Sequence, residues 1–281
     1  MEPEKPRKPI PPNRTLKQVW SQYLAEKEIA ERLESATREE RKRIYESMYD
    51  ELFDRVPDHP RLTRRQSDEM TRLVVLDKLS LLEPYLEEEA TVAIFAPGDC
   101  RFAFEVARRT RKVTGIDVSD QKNPLDIPPD NFELIVYDGY TLDEIEDGSI
   151  DLVFSDQLIE HLHPEDTRYH FELVRRILVS GGRYVFRTPH VLTGPHDISA
   201  HFSDVPEGLH LKEWTYGELA DLIADAGYSG FRPYWHRGRL SIRLPLVYFK
   251  VFESLLSRFP RGAARAVARR LIPSIFGIAA K

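Results

Sequence analysis

From Thr91 onward, short apolar segments alternate with stretches of helical periodicity, and this alternation restricts the possible folds more than any other feature of the chain. The predicted strands are TVAIFA, KVTGID, FELIVY, IDLVFS and RYVFRTP, with helices near Phe102–Arg109, near Glu165–Leu178 and from Thr215. Strands that alternate with crossover helices build a mostly parallel sheet. We therefore expect an α/β doubly wound sheet whose ligands bind beyond the carboxyl ends of its strands.

The chain before this sheet is predicted to be a disordered leader followed by a helical subdomain. Residues 1–13 contain five prolines and few apolar side chains, which is typical of a flexible segment. Over residues 14–89, apolar side chains recur at three- and four-residue intervals, and a capping box of Thr37 and Glu40 marks the start of a second helix. A third helix, from about Ser67 to Leu86, is predicted to pack through one apolar face, formed by Met70, Leu73, Leu76 and Leu79.

Charge separates the C-terminal segment from the rest of the chain. Residues 241–281 contain eight basic side chains and one acidic side chain, Glu253, which gives this segment a net charge of +7. Because the whole chain has a net charge of -6, residues 1–240 carry -13. The single cysteine, Cys100, excludes an internal disulfide, and neither a secretion signal nor a membrane-spanning run is apparent. We expect a cytoplasmic protein.

Polar residues follow the predicted strands at the edge where ligands should bind. Gly98 follows the first strand, where a glycine lets the backbone approach a ligand or simply closes a tight turn. Asp117 ends the second strand, where a carboxylate can accept hydrogen bonds from both ribose hydroxyls of a nucleoside or act as a turn residue. Asp138 and Gly139 follow the third strand, where the carboxylate could meet the amine of an adenine, and Gln157 follows the fourth.

Four sequence blocks in this order resemble the class I S-adenosylmethionine-dependent methyltransferases of the methyltransferase-11 type. The blocks are GID at 115–117, DGSIDLVFSDQLIEHL at 147–162, SGGRYVFRTP at 180–189 and HLKEWTYGEL at 210–219. The resemblance implies a seven-stranded, Rossmann-like sheet over residues 90–239. It also places the cofactor's methionine part over Ala96 and Gly98, its ribose on Asp117, its adenine beside Asp138 and Gly139, and its methyl group near Gln157.

The first loop departs from the pattern of that family. The family carries an acidic residue in the first strand followed by three alternating glycines, and the corresponding positions here are Ile94, Ala96, Gly98 and Cys100. Ile94 cannot supply the carboxylate, so we expect the methionine end of the cofactor to be held less tightly or by other groups, with Asp99 as one candidate.

Glu160, His161 and His210 are the candidate catalytic residues. Histidine can remove a proton from a hydroxyl near neutral pH, and one helical turn would direct Gln157, Glu160 and His161 the same way. The set also resembles metal-assisted O-methyltransferases of small RNAs and of the ubiquinone pathway, in which two glutamates and two histidines hold a divalent cation. Here Gln157 replaces the first glutamate, which disfavours magnesium most. A cation held by Glu160, His161 and His210, a general base without metal, and a structural role all remain open.

The C-terminal segment, residues 240–281, is predicted to be a basic amphipathic extension. Its helix could lie on an anionic membrane surface at the inner face of the membrane, or Leu244–Leu256 could pack over the acceptor pocket with its arginines in solvent. Residues 41–62 resemble the helical leader of bacterial methyltransferases that modify surface sugars. We expect a small-molecule, glycan or lipid-linked acceptor, whereas an acidic catalytic domain disfavours nucleic acid.

The function predicted from the sequence is therefore methylation of a glycan-like or small-molecule hydroxyl by an S-adenosylmethionine-dependent enzyme. The alternative from another class is a methyltransferase-like binding or scaffold protein without turnover, motivated by Ile94 and Cys100. A nicotinamide-dependent dehydrogenase would share Asp117, but the first loop lacks G-x-G-x-x-G, and that reaction would leave the Glu160-His161 block unexplained.

Overall fold

Eight strands form one sheet in the computed structural model, which describes residues 2–63, 68–122, 125–238 and 240–281. The strands are β1 (Thr91–Phe95), β2 (Lys112–Asp117), β3 (Phe132–Val136), β4 (Ile150–Asp156), β5 (Leu178–Pro189), β6 (Gly230–Arg237), β7 (Leu240–Arg243) and β8 (Ser274–Ala280). The five strands predicted from the sequence are β1 to β5, and they pair in parallel. The three remaining strands pair in antiparallel fashion.

Nine α-helices surround or precede the sheet in the described part of the chain. They are α1 (Leu16–Ser35), α2 (Arg38–Arg55), α3 (Pro60–Thr63), α4 (Asp68–Leu82), α5 (Arg101–Ala107), α6 (Pro164–Ile177), α7 (Tyr216–Asp225), α8 (Leu246–Leu256) and α9 (Arg261–Leu271). The predicted capping box of Thr37 with Glu40 begins α2, and a second capping box, of Thr215 with Glu218, begins α7. None of the described helices is long and apolar enough to cross a membrane.

The strand order is β3-β2-β1-β4-β5-β8-β6-β7. The chain reverses direction across the sheet between β1 and β4, so a crevice opens above their carboxyl ends. One apolar cluster covers each face: Phe95, Val153 and Phe186 lie on one side, and Ile94, Phe154 and Val185 on the other. This is the Rossmann-like fold, and the prediction of a doubly wound, mostly parallel α/β sheet is confirmed. The sheet has eight strands, not the predicted seven, because β7 and β8 join it from beyond residue 239.

The last strand departs from the predicted C-terminal extension. β8 lies between β5 and β6 and pairs with both, so residues 274–280 belong to the sheet of the catalytic domain. The prediction of a separate extension over 240–281 is therefore wrong for its last segment, and also for its first, because β7 pairs with β6. The reason is packing, since a Cβ on Gly277 would come within 2.6 Å of the rings of Phe231 and Phe186, whose aromatic side chains enclose the strand.

The N-terminal helices form a wall beside the carboxyl edge of the sheet. Arg41 of α2 forms a buried ion pair with Asp166 of α6, with Nε donating to Oδ2 at 2.6 Å and Nη2 donating to Oδ1 at 2.9 Å. The hydroxyl of Tyr140 also donates to Oδ2 of Asp166, at 2.6 Å. This shared carboxylate fixes α2 against the sheet domain, which places its side chains above the crevice.

Two predictions for the N-terminal part need correction or addition. On α4, only Leu79 of the predicted apolar face is buried, whereas Met70, Leu73 and Leu76 are exposed, because only the C-terminal half of the helix reaches the sheet. Ser67, where that helix was predicted to begin, lies outside the described residues. The leader has no helix or strand over residues 2–13, yet the amide of Arg7 donates to the carbonyl of His201 at 2.7 Å.

Candidate functional site

A cavity of about 510 Å³ opens above β1, β2 and β4, with α2 on the opposite side. Its lining includes Ala96, Gly98, Asp117, Gly139, Gln157 and His161, which are six of the nine residues predicted from the sequence. Tyr45, Met48 and Tyr49 of α2 close it from above. The structure therefore joins the ends of separate strands and an N-terminal helix in one site.

The loop after β1 keeps a glycine-like backbone although it contains one glycine. Ala96, Gly98 and Cys100 all have positive φ angles, of 50°, 60° and 62°. This conformation strains a residue that carries a Cβ, and such strain persists where the surrounding structure imposes it, often at functional sites. Nothing lies within 4 Å of a Cβ built on Gly98, so the backbone here faces open space. The loop thus keeps an open backbone at the cavity despite its altered sequence.

Asp117 ends β2 and directs its carboxylate into the cavity. Oδ1 accepts a hydrogen bond from the amide of Val118 at 2.8 Å, and Oδ2 accepts one from the amide of Gly98 at 3.3 Å. Burial raises the pKa of this carboxyl, although the amides of Gly98, Ser119 and Val118 oppose the shift. The carboxylate is held by the first loop and still faces the cavity, which suits contact with a polar ligand.

Asp138, predicted to contact an adenine, has other partners in the structure. Its Oδ2 lies 2.5 Å from Nζ of Lys42, and its Oδ1 accepts from the amides of Tyr140 and Thr141. Burial opposes the shift, but Lys42 and these amides lower the pKa of Asp138 to about 2. Gly139 lines the cavity and Asp138 does not. The carboxylate would reach an adenine only by leaving Lys42.

Glu160, His161 and His210 lie together, with one potential ligand atom from each within 4.8 Å of the others. His161 lines the cavity, while Glu160 and His210 lie behind it. Nδ1 of His161 donates to the carbonyl of Leu209 at 2.9 Å. The rings of His161 and His210 are 4.8 Å apart and nearly perpendicular. Of the three side chains, only that of His161 therefore lines the cavity.

Burial shifts the pKa values of the titratable groups in this cluster. Burial raises the pKa of Glu160 to about 7, against the opposing effects of His210 and Thr188. Burial and the neighbouring His210 lower the pKa of His161 well below its usual value. Oε2 of Glu160 accepts from the Thr188 hydroxyl at 2.9 Å, whereas Oε1 is buried and has no hydrogen-bond partner. A buried oxygen left without a partner indicates space for a proton or a ligand.

Sequence reasoning missed Glu213, which contacts the far side of His210. Oε1 of Glu213 lies 3.0 Å from Nδ1 of His210 and accepts from the amide of His196 at 2.6 Å. The side chain fits only because residue 194 is glycine, since a Cβ there would lie 1.7 Å from Oε2 of Glu213. The predicted block HLKEWTYGEL contains Glu213, but only its spacing of three residues from His210 could have indicated the contact.

Sequence reasoning also missed Lys78 and Asp156. Both line the cavity, and Nζ of Lys78 lies 3.4 Å from Oδ2 of Asp156. Arg187 forms a bidentate pair with the same carboxylate, at 2.5 and 2.8 Å. Burial would raise the pKa of Asp156, but Lys78 and Arg187 lower it below its usual value. The cavity thus holds a cation and an anion side by side at the end of β4.

Three other histidines, His163, His170 and His190, have structural partners. His190 is buried with Nε2 2.8 Å from Oε1 of Glu253, away from the cavity. His163 begins α6, where Nδ1 accepts from the amide of Glu165 at 3.3 Å. His170 does line the cavity, but its Nε2 lies 2.9 Å from the Tyr184 hydroxyl, and burial lowers its pKa to about 3. We therefore retain His161 and His210 as the reactive candidates.

Comparisons with known proteins agree with this geometry. Residues 95–186, about a third of the chain, match the family model described as a methyltransferase domain. An S-adenosylmethionine-dependent methyltransferase from Archaeoglobus fulgidus aligns over 75% of this chain and 94% of its own, with 18% identity and a TM-score of 0.53. The 1,6-didemethyltoxoflavin-N1-methyltransferase of Burkholderia thailandensis, solved with 1,6-didemethyltoxoflavin and S-adenosylhomocysteine, aligns over 88% and 91%, with 16% identity and a TM-score of 0.52.

A third similar structure is the putative methyltransferase of Haloferax volcanii, solved in complex with the methyltransferase activator Trm112. It aligns over 73% of this chain and 88% of its own, with 18% identity and a TM-score of 0.52. No curated protein sequence matches the chain. The family model matches about a third of the chain, and the solved structures share its fold.

Proposed function

We propose that this protein transfers a methyl group from S-adenosylmethionine to a hydroxyl of a small-molecule or glycan-like acceptor. The observation that carries the proposal is that His161 faces the same cavity as Gly98, Asp117 and Gln157. A cofactor cradle and a titratable imidazole thus share one enclosed space. Methyl transfer requires such proximity, because the acceptor must approach the methyl group in line and lose its proton.

The residues present fit the cofactor at its nucleoside part. Asp117 would accept hydrogen bonds from the ribose hydroxyls, and the open backbone at Gly98 would let the ligand approach closely. Gln157, whose φ of 57° turns the chain sharply after β4, would lie near the transferred methyl group. When bound, S-adenosylmethionine supplies an electrophilic methyl group on its sulfonium.

At the methionine end we propose that Lys78 and Asp156 replace the carboxylate that β1 lacks. Ile94 is buried in the sheet and cannot contribute a charge. The ammonium of Lys78 would pair with the carboxylate of the zwitterionic amino acid, while Asp156 would pair with its amine. S-adenosylhomocysteine carries that zwitterion and 5′-methylthioadenosine does not. Lys78→Met should therefore weaken binding of the first compound and leave binding of the second unchanged.

For the acceptor we propose that His161 accepts the hydroxyl proton. Because Nδ1 donates to the carbonyl of Leu209, the lone pair lies on Nε2, and the lowered pKa keeps the ring neutral near pH 7. Glu160 borders this imidazole, and its carboxylate would stabilise the ring once it is protonated. The base thus belongs to a connected buried cluster.

The same three residues also fit a divalent cation, which remains the alternative form of this proposal. Glu160 has a buried oxygen without a partner, and Nδ1 of each histidine is held by an oxygen, which leaves Nε2 available as a ligand atom. Glu160, His161 and His210 would hold the cation, which when bound would polarise the acceptor oxygen. With one carboxylate among three ligands, zinc or manganese suits the site better than magnesium.

The test begins with calorimetric titration of S-adenosylhomocysteine. Asp117→Ala should lower affinity by about 1.5–3 kcal/mol, the range for hydrogen bonds to a charged group. Asp120→Ala, a nearby exposed aspartate outside the cavity, is the matched control. If the native protein binds neither S-adenosylhomocysteine nor S-adenosylmethionine, the proposal is wrong.

Turnover is tested by mass spectrometry of glycans and small alcohols incubated with methyl-labelled S-adenosylmethionine. A gain of one methyl group that His161→Ala abolishes, with cofactor affinity retained, would support the proposed base. Transfer that survives a strong chelator would remove the cation from the proposal. Binding of the cofactor with no transfer to any acceptor would favour the scaffold function, which the loss of an acidic residue at Ile94 suggests.

A further inference from the structure

Helix α8 carries a row of apolar side chains that the rest of the protein leaves uncovered. Val247, Tyr248, Val251 and Leu255 are between 50% and 62% exposed, and their spacing places them on one face. The opposite face packs against the domain, where Phe249 stacks on Tyr216 with 4.1 Å between ring centres. The outward row is therefore a surface and not part of the core.

This row also lies away from the cavity, contrary to one of the two expectations from the sequence. No residue of 244–256 is among those that line the cavity in the described part of the chain. The row continues beyond both ends of the helix, through Leu244 and Phe259, and two exposed apolar side chains of β7, Leu240 and Ile242, precede it. We call Leu240, Ile242, Leu244, Val247, Tyr248, Val251, Leu255 and Phe259 the apolar row.

Four exposed arginines lie close to the apolar row in the sequence and form no ion pair with a described carboxylate, although the hydrogen bond from Arg7 and, to a smaller extent, the charge of Arg261 lower the pKa of Asp204. Arg243, Arg258, Arg261 and Arg270 are exposed, and no described carboxylate lies within 4 Å of them. Lys250 does have a partner, at 3.5 Å from Oδ1 of Asp221. The single acidic residue of the segment, Glu253, points inward and accepts from the amide of Tyr216 at 2.6 Å. The exposed surface around the row is therefore positive.

Helix α4 provides a comparison, because it also exposes apolar side chains. Met70, Leu73 and Leu76 are about half exposed, but both signs of charge lie among them, on Glu69, Arg72 and Asp77. Exposed apolar area alone therefore does not distinguish α8. What distinguishes it is the combination with unpaired arginines, which is the pattern of a helix that lies on an anionic bilayer.

We propose that α8 docks on an anionic membrane surface, with the apolar row at the boundary of headgroups and acyl chains and the arginines against lipid phosphates. A second copy of the chain fits this surface poorly, because a symmetric contact would bring like charges together. At 11 residues, α8 is too short to span a bilayer but long enough to lie along its surface. The proposal is independent of the reaction and needs no acceptor.

The test is co-sedimentation of the full chain with vesicles of phosphatidylcholine alone or mixed in equal parts with phosphatidylglycerol. The native protein should bind the mixed vesicles, and added salt should weaken binding, because the arginine contribution is screened. Leu255→Asp and Val251→Asp should each lower affinity at least about tenfold, since each removes a buried aliphatic side chain from the lipid boundary. Leu73→Asp makes the matched change on α4 and should leave affinity unchanged.

Charge is tested separately with Arg258→Glu combined with Arg261→Glu, which should reduce binding to the mixed vesicles by at least about tenfold. Thermal melting of each variant shows whether the fold is retained. The proposal is overturned if the native protein fails to bind the mixed vesicles, or if Leu73→Asp lowers affinity as much as Leu255→Asp. It is also overturned if light scattering finds a dimer that Leu255→Asp dissociates, because the row would then belong to a second copy.

Discussion

Oε1 of Glu213 lies 3.0 Å from Nδ1 of His210 and fixes that imidazole behind the lining of the cavity. Burial lowers the pKa of His210, but the hydrogen bond to Glu213 and the carboxylates of Glu160 and Asp197 outweigh burial and raise it. We infer that Glu213 is a positioning residue, which holds Nδ1 of His210 as a donor and leaves Nε2 for the chemistry proposed at Glu160 and His161.

Replacement of Glu213 should change the pKa of His210. In Glu213→Gln, a neutral amide replaces the carboxylate, so the pKa of His210 should fall, because its protonated form loses an anionic partner. Nuclear magnetic resonance titration of the imidazole nitrogens measures this without an acceptor. Where turnover can be followed, it should fall about 10- to 100-fold with cofactor affinity retained. An unchanged His210 titration would remove Glu213 from this role.

His170 should lower the free energy of unfolding as the pH falls below 6.5. Burial lowers its pKa to about 3 from 6.5. A lowered folded-state pKa means that the unfolded chain takes up the proton first, so the stability that the neutral ring contributes is lost as pH falls from 6.5 toward 3. In His170→Gln, the free energy of unfolding should fall less steeply over this range, by up to about 1.4 kcal/mol per pH unit. Parallel pH curves for the two proteins would contradict this.

Arg41 should contribute strongly to the docking of α2. Arg41→Ala leaves the buried carboxylate of Asp166 with the Tyr140 hydroxyl and with Nε of the half-exposed Arg38, which lies 3.4 Å from Oδ1. The free energy of unfolding should therefore fall by about 3 kcal/mol, the lower end of the range for a broken buried ion pair. The matched control is Arg55→Ala on the same helix, whose ion pairs with Glu28 and Glu51 are solvent-exposed and should contribute at most about 1 kcal/mol. Urea denaturation compares the two variants. Equal losses of unfolding free energy in the two variants would show that the buried ion pair stabilises the protein no more than the exposed pairs do.

Ala96→Gly should stabilise the protein. The φ of 50° at Ala96 costs about 1–2 kcal/mol for a residue with a Cβ, while glycine costs about 0.5–1 kcal/mol in backbone entropy. The net gain in the free energy of unfolding should be about 0.5–1 kcal/mol by thermal or urea denaturation. Ala103→Gly, inside α5, should instead destabilise by about 1 kcal/mol. A loss in Ala96→Gly would show that the first loop is not strained.

Local patterns in the sequence predicted the parallel half of the sheet and the capped helix starts. A capping box is a relationship between residues three positions apart, so Thr37 with Glu40 could be read without knowing the fold. The same holds for Asp117, because a carboxylate directly after a strand of a parallel sheet must lie at its ligand-binding edge.

Local sequence patterns wrongly predicted that Met70, Leu73 and Leu76 of α4 are buried, and they did not predict β8. The spacing of Leu73 and Leu76 shows that they share a face, but not whether a partner covers it, and in the structure none of the described residues buries them. β8 is buried over Ile275–Ala279, so it lacks the alternation by which an exposed strand is recognised. Its neighbours, β5 and β6, are distant in the chain.

The sequence by itself determined the α/β class, the helix caps and the acid at the end of β2, because each depends on residues close together in the chain. Only the tertiary structure decided that Glu213 fixes His210, that Lys78 meets Asp156 in the cavity, and that α8 turns its apolar row outward. These are contacts or exposures set by packing between distant segments. Local periodicity predicts which side chains share one face of a helix or strand. Tertiary packing determines whether that face contacts another segment or the solvent.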